Sequence, residues 1–564
     1  MSERTEAAHN AAIYFHPDGY VTGGPKLMGR QAAGEGFLQG FLRHSGVERF
    51  YCLAPNHRTA RVFAEIVSRH RPDKPPADWI APIHLQRVSE PGCLYVPGPG
   101  LGEFAWRRRA GDQRAFSIMG LTHTTASERA MDEISAVLSA PVQPWDALVC
   151  TSEAVRDSLQ ILLGDWRRYL ADRHGAREFP LPQMPVIPLG VDCDQLEIPA
   201  HRRIAWRAKL GIQDDEVAIL FLGRLSFHAK ANPYPMYVAL EETARRTGRK
   251  LVLIQAGWFA NEAIERAFRI GAETLCPSVR AIYADGRDRE VRDNIRAAAD
   301  IFSSLSDNIQ ETFGLTPLEA MAAGLPVVAS DWDGYKGTVR HGEDGFLIPT
   351  IMPSQPDGAD LAARFEWEAD DYDKYIGNSA LFVAVDVNAS IEAFTRLVQE
   401  PDLRRRMGES GRVRAREKFD WKVIIGQYQA LWGELAALRS SAAISVERGE
   451  DMPANPSRMD PFRLFAGYPT AVLARGDRLE LNIGNAEEAV RRLGVARSLW
   501  MVNYAGDLLP SDDECRAVLV AVADHPGMAL ADLLSNLPQP RRRIVRRGIV
   551  WLLKLGLLKR QSLQ

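Results

Sequence analysis

Short, nearly unbroken apolar runs recur from residue 11 to about residue 400, with helix-length amphipathic stretches between them. The runs are AAIYF, ERFYCLA, WDALVCTS, MPVIPLG, VAILFLG, LVLIQAG, RAIYAD, ADIFSSLS and LPVVAS. Typical intervening segments are AAGEGFLQGFLRH and DREVRDNIRAAA. Strands that are apolar on both faces, with helices between them, indicate parallel sheets covered on both sides. The series is too long for one sheet. PVIPLGVDCDQLE, near residue 190, reads as a crossing between two doubly wound α/β domains, residues 1–195 and 196–439, facing a cleft. Ligands in such folds sit beyond the carboxyl ends of the strands.

Further along, 416–439 (REKFDWKVIIGQYQALWGELAALR) predicts one long helix with Trp421, Ile424, Tyr428 and Leu431 on a single face. Residues 440–459 lose that periodicity, gain Ser, Pro and Asn, and read as a linker. Residues 460–564 form an appended module. Within 508–564, three helical segments and the ending LLKLGLLKR resemble a winged helix.

Composition adds little to this picture. The 564 residues are 46% hydrophobic and 25% charged, with a net charge of −3, so no bulk attraction to nucleic acid or anionic lipid is expected. Six cysteines (Cys52, Cys93, Cys150, Cys193, Cys276 and Cys515) lie far apart without a C-x-x-C pair. That spacing argues against a zinc site or a disulfide framework, and for a reducing compartment. The N-terminus MSERTEAAHN has no apolar signal core, and no apolar run approaches the roughly 18–20 residues of a membrane span. A soluble cytoplasmic protein is expected.

The candidate chemistry lies in ETFGLTPLEAMAAGLPVVAS (311–330). Thr316 as N-cap, Pro317 at the first helical position and Glu319 three residues after the cap predict a capping box. Gly324 then ends the helix. Glu311 is left without a structural role, on a loop beyond the strand ADIFSSLS. Gly314, Leu315 and Thr316 present backbone N–H groups at a helix N-terminus, a natural seat for phosphate.

This string resembles the E-x7-E signature of family 4 glycosyltransferases of the GT-B fold. The resemblance implies that Glu311 lies against a donor sugar, that Glu319 reaches the ribose of its nucleotide, and that the turn before the helix lies beside the diphosphate. FLGRLSFHAK (221–230) resembles the family's G-R-L…K element, one residue longer than usual, which implies that Arg224 and Lys230 hold the diphosphate. Two cations there would stabilise a leaving group that gains negative charge. VIPLGVDCDQLE resembles the family's interdomain segment, and WDALVCTSEAVRDSL its Ser-Glu element in the first domain. FSIMGLTHTTAS places His123 just past a strand, where the family usually has a histidine facing donor and acceptor. The loop GYVTGGPKLMGRQ (19–31) would let backbone approach the sugar diphosphate through Gly23, Gly24 or Gly29, a choice that spacing leaves open.

The resemblance spans roughly residues 11–439. It departs at SDWDGYKGTV, where the family often has a glutamate near Gly337, and at the long connection 350–386. Three D-x-D triplets (Asp192/Asp194, Asp331/Asp333, Asp371/Asp373) lack the fold that uses such pairs for metal, so no metal site is expected. GPGLGE (98–103) looks like a phosphate loop but is discounted for want of a strand-to-helix context.

The resemblance implies a retaining, hexosyltransferase-type enzyme that needs no cofactor, and the cationic pair at the diphosphate implies that it is metal-independent. A nucleotide-sugar donor would serve a saccharide, lipid-linked or protein acceptor. The alternative is a non-catalytic GT-B scaffold; an epimerase or phosphorylase on the same fold finds no supporting motif. The basic residues Arg541, Arg542, Arg543, Arg546, Arg547, Lys559 and Arg560 permit DNA binding by the module, but recruitment of a protein partner is the favoured expectation.

Overall fold

The computed structural model describes residues 8–21, 29–535 and 537–561. The chain divides into two compact units, Met1–Arg458 and Met459–Gln564.

The first unit holds two six-stranded parallel sheets. In the first sheet the strands are β1 (Ala12–Tyr14), β2 (Phe50–Leu53), β3 (Ala77–Ile80), β4 (Cys93–Val96), β5 (Ser117–Leu121) and β6 (Ala147–Val149). In the second they are β7 (Val217–Leu222), β8 (Leu251–Gly257), β9 (Arg280–Asp285), β10 (Ile301–Ser304), β11 (Val327–Ser330) and β12 (Gly345–Ile348). Their orders are β3-β2-β1-β4-β5-β6 and β12-β11-β10-β7-β8-β9. Each is a doubly wound sheet whose order reverses once, between β1 and β4 and between β7 and β10. The pair is the GT-B arrangement that the resemblance implies. β7 and β8 are buried at every position, as expected of parallel strands covered on both faces.

Four strands lie outside the expected apolar runs: β3, β4, β5 and β12. Of these, β5 is implied only by the placing of His123 just past a strand. MPVIPLG, in contrast, is not a ladder strand. Pro185 and Pro188 lack N–H donors, so the segment makes single bridges to the β6 edge, with Cys150 N donating to Pro185 O at 2.9 Å and Ile187 N to Cys150 O at 3.0 Å.

The helix expected at 416–439 begins later. Ala415–Phe419 form a π-helical turn, Asp420 caps by accepting from Lys422 N at 2.9 Å, and the helix runs Trp421–Ser441. Trp421, Ile424, Tyr428 and Leu431 are all buried. They meet the helix Gly29–His44 of the first domain, where the Tyr428 ring stands edge-on to Phe37 at 5.2 Å. Trp421 fits there because Gly36, Gly40 and Gly190 have no side chains; a Cβ on any of them would come within 3.0 Å of the indole.

Residues 440–458 also lie against the first domain. Buried Gln113 and Arg109 need acceptors, and find them in Val446 O at 3.1 Å and Ala454 O at 3.0 Å. Ser445 N donates to Gln143 Oε1 at 2.9 Å. Much of the segment that reads as a linker is therefore bonded to the first domain.

In the second unit the three expected helices are Asp512–Asp524, Leu530–Ser535 and Gln539–Lys554. Three antiparallel strands, β13 (Arg478–Leu481), β14 (Met528–Ala529) and β15 (Leu558–Arg560), form a sheet with β13 in the middle. The strand-like ending thus pairs with an upstream strand, and among the described residues no hairpin follows it. Several of the basic side chains are occupied. Arg541 forms a bidentate pair with Glu514 at 2.6 Å, Arg542 donates to Leu537 O at 2.9 Å, and Lys559 pairs with Glu480 at 3.3 Å.

Candidate active site

The reversal in the second sheet sets the loop after β7 beside the loop after β10. Side-chain hydrogen bonds fasten the two together: Ser306 Oγ donates to Lys230 O at 3.1 Å, and Asn308 Nδ2 to His228 O at 2.8 Å. The chain ends of β7 and β10 thereby bring Lys230 and Glu311 into an ion pair across the crevice. Burial raises the Glu311 pKa, but Lys230, the Tyr335 hydroxyl and the Thr312 N–H outweigh it and hold the carboxyl below its usual range. Arg224 reaches the same loop, donating to Gln310 Oε1 at 3.1 Å and to Ala229 O at 2.8 Å.

The helix after Glu311 runs Leu315–Ala322 and is capped by Gly314, at φ 82°, with no side-chain cap bond. The expected capping box is absent. Thr316 falls inside the first turn with its Oγ1 buried and unpartnered, and Glu319 pairs with Arg296 instead. The expected end is present: Gly324 is left-handed at φ 79°, and Leu325 N donates to Ala320 O at 2.9 Å. Gly314, Leu315 and Thr316 thus form the helix N-terminus beside Glu311, whose first N–H groups have no intrahelical acceptors.

From the first domain, the β5 end brings His123 to this seam: its carbonyl accepts from Thr312 Oγ1 at 2.6 Å. Burial and the nearby Arg30 push the imidazole down to about 4, so it is neutral at pH 7. Thr151 Oγ1 donates to Thr312 O at 3.2 Å, and Ser152 Oγ to Asp333 Oδ1 at 3.1 Å. Gly29 opens the first helix, with free space around it. Gly23 and Gly24 lie outside the described residues.

Several residues of the crevice carry no sequence signal of their own. Tyr335 is fully buried, with its hydroxyl 2.8 Å from Ser304 Oγ and 3.4 Å from Glu311 Oε2. Burial, then the Glu311 charge, raise its pKa well above the ordinary value, so it stays a donor. Asp333 and Asp307 are both pushed up to about 7, chiefly by burial. Asp333 shows in the sequence only as half of a D-x-D triplet, and the departure from the family pattern at SDWDGYKGTV is the one visible hint of Tyr335.

One other expectation changes. GPGLGE does run from a strand into a helix, from β4 into Leu101–Arg108, beside the reversal of the first sheet. Residues of two of the three D-x-D triplets are engaged elsewhere: Asp192 pairs with Arg43 at 2.5 Å, Asp194 with Arg416 at 2.7 Å, and Asp371 caps the helix Tyr372–Ala380.

Residues 202–374 match the family model "Glycosyl transferases group 1". Alpha-monoglucosyldiacylglycerol synthase of Streptococcus pneumoniae is 31% identical over 33% of this chain and 37% of its own length. D-inositol 3-phosphate glycosyltransferase of Geodermatophilus obscurus is 29% identical over 45% of this chain and 55% of its own. The chain thus spans little more than half of these curated relatives, or less. A crystal structure of HepE from Anabaena with UDP and glucose overlays at a TM-score of 0.46, with 14% identity, covering 76% of this chain and all of that one. Residues 202–374 are thus similar to the group 1 glycosyltransferases.

Proposed function

We propose that the protein transfers a hexosyl group from a nucleotide-sugar donor to an acceptor, with retention of configuration and without metal or cofactor. The observation that carries this reading is the Lys230–Glu311 pair at the crevice of the second sheet, with Arg224 on the same loop. Two cations beside a helix N-terminus suit a nucleoside diphosphate, whose charge grows as the glycosidic bond breaks. In this scheme Arg224 and Lys230 stabilise the departing diphosphate, with N–H groups of Gly314, Leu315 and Thr316 at the phosphates. Glu311, kept ionised and aimed by Tyr335, accepts hydrogen bonds from the sugar, and Glu319 serves the ribose. A neutral His123 aligns donor and acceptor. Glu311, the ionised carboxylate of the crevice, is paired with Lys230 and serves the sugar hydroxyls, so the departing phosphate takes up the acceptor proton in a front-face displacement without a glycosidase-type nucleophile. The names of the relatives, an alpha-monoglucosyldiacylglycerol synthase and a D-inositol 3-phosphate glycosyltransferase, make small polar or lipid-linked hydroxyl acceptors the first to try.

The test is nucleotide release from UDP-, GDP- and ADP-sugars, with and without EDTA, and NMR assignment of the product anomer. Release that survives EDTA and an unchanged anomeric configuration are expected. A strict Mn²⁺ or Mg²⁺ requirement would overturn the role given to Arg224 and Lys230, and an inverted product the stereochemistry.

A further inference from the structure

Asp333 stands out in the crevice for its backbone. It is a non-glycine residue at φ 43°, in the left-handed region that an L side chain enters only at a cost in free energy. A glycine would occupy that position without strain, so the side chain itself needs a reason. One oxygen has a visible partner: Oδ1 accepts from Ser152 Oγ, which comes from the opposite domain. Ser152 is itself fixed, because it caps the helix Glu153–His174 by accepting from Val155 N at 3.1 Å. The other oxygen, Oδ2, is buried with no hydrogen-bond partner. An orphaned buried acceptor is costly and calls for an explanation. The surrounding turn is held independently, with Trp332 Nε1 donating to Asn308 O at 3.1 Å and Tyr335 N to Trp332 O at 3.1 Å. Strain and an unsatisfied oxygen therefore coincide on one side chain, next to Glu311, and neither is needed to form the turn.

We propose that Asp333 is a second carboxyl group of the donor-sugar pocket, which hydrogen-bonds a ring hydroxyl through Oδ2 while Ser152 fixes Oδ1. The inference rests on the reading of the crevice as a nucleotide-sugar site. Burial and the neighbouring Glu311 charge let Asp333 keep its proton up to about pH 7, so that it donates as well as accepts where a second carboxylate would repel Glu311. Because its partner lies on the other domain, the group is complete only when both domains meet at this seam.

The experiment compares wild type with Asp333→Gly, which removes the group and the strain together, and Asp333→Asn, which keeps a polar side chain that tolerates the left-handed region. Each is titrated with UDP, GDP and ADP and with UDP-glucose, GDP-mannose and ADP-glucose, and hydrolysis is followed by nucleotide release. Asp333→Gly is expected to melt higher than wild type and bind the free nucleotide equally well. It should lose about tenfold or more in kcat/KM for the nucleotide sugar, the loss of one strong hydrogen bond. Asp333→Asn should regain much of that loss. Unchanged sugar-nucleotide affinity and hydrolysis in Asp333→Gly would overturn the inference and leave the site reading intact. A loss shared equally with the free nucleotide would also overturn it, by making Asp333 a structural tie. A wild-type protein that binds none of the six compounds would remove the site reading and this inference with it.

Discussion

The Tyr335 ring occupies the space that a side chain on Gly314 would need: a Cβ there would stand 1.9 Å from Tyr335 Cε1. The cap of the helix after Glu311 and the hydroxyl that aims Glu311 are therefore one packing unit. Gly314→Ala should cost about 2–4 kcal/mol, combining left-handed strain with overpacking. It should also lower turnover, because the ring must move away from Glu311. A melting curve and a nucleotide-release assay on the same preparation check both.

Tyr335→Phe keeps the ring and removes only the hydroxyl. Loss of the bonds to Ser304 and Glu311 should cost about 1 kcal/mol of stability. Turnover should fall more than nucleotide affinity does, since the hydroxyl serves Glu311 and not the phosphates. Steady-state kinetics beside UDP, GDP and ADP titrations separate the two effects.

Glu319→Gln tests the pair with Arg296. The guanidinium side chain is only 6% exposed, so removing its counter-charge leaves a largely buried cation. A loss of about 1–3 kcal/mol is expected, whereas a capping role would make the substitution nearly neutral. Arg296→Gln combined with Glu319→Gln should recover part of that stability in denaturant titrations.

Asp307 gives a pH signature. Its pKa is raised to about 7 by burial, while an unfolded aspartate titrates near 4. Between those values the folded state binds more protons, so this residue's contribution to stability is full below about pH 4 and is lost as pH rises through 7. Asp307→Asn should therefore be more stable than wild type at pH 8, with the difference shrinking toward pH 5. Thermal melts at those two pH values measure it.

Truncation distinguishes the tethered segment from a free linker. Ending the chain after Arg458 keeps the carbonyls of Val446 and Ala454 that satisfy Gln113 and Arg109. Ending it after Ser445 leaves those buried donors without acceptors. The longer product should unfold at the higher temperature and still bind its nucleotide, as calorimetry with and without UDP, GDP or ADP would show.

Much of this protein is legible in its sequence alone. Buried parallel strands announce themselves as continuous apolar runs because both faces are covered, which makes β7, β8, β10 and β11 plain. The string from Glu311 to Ser330 carries the candidate site for a related reason: a loop, a helix start and a buried strand must follow in fixed order at a strand's carboxyl end. Tertiary structure decides what local pattern does not. Glu319 has the right spacing for a capping box, but the left-handed Gly314 starts the helix early and Arg296, distant in sequence, takes the carboxylate. Tyr335, Asp333 and Ser152 become site neighbours only because one sheet reverses its order and two domains meet at a seam. Local sequence sets periodicity and turn chemistry, which act over a few residues. Charge pairing and burial across a crevice depend on chain segments brought together by packing, and no single stretch of sequence records them.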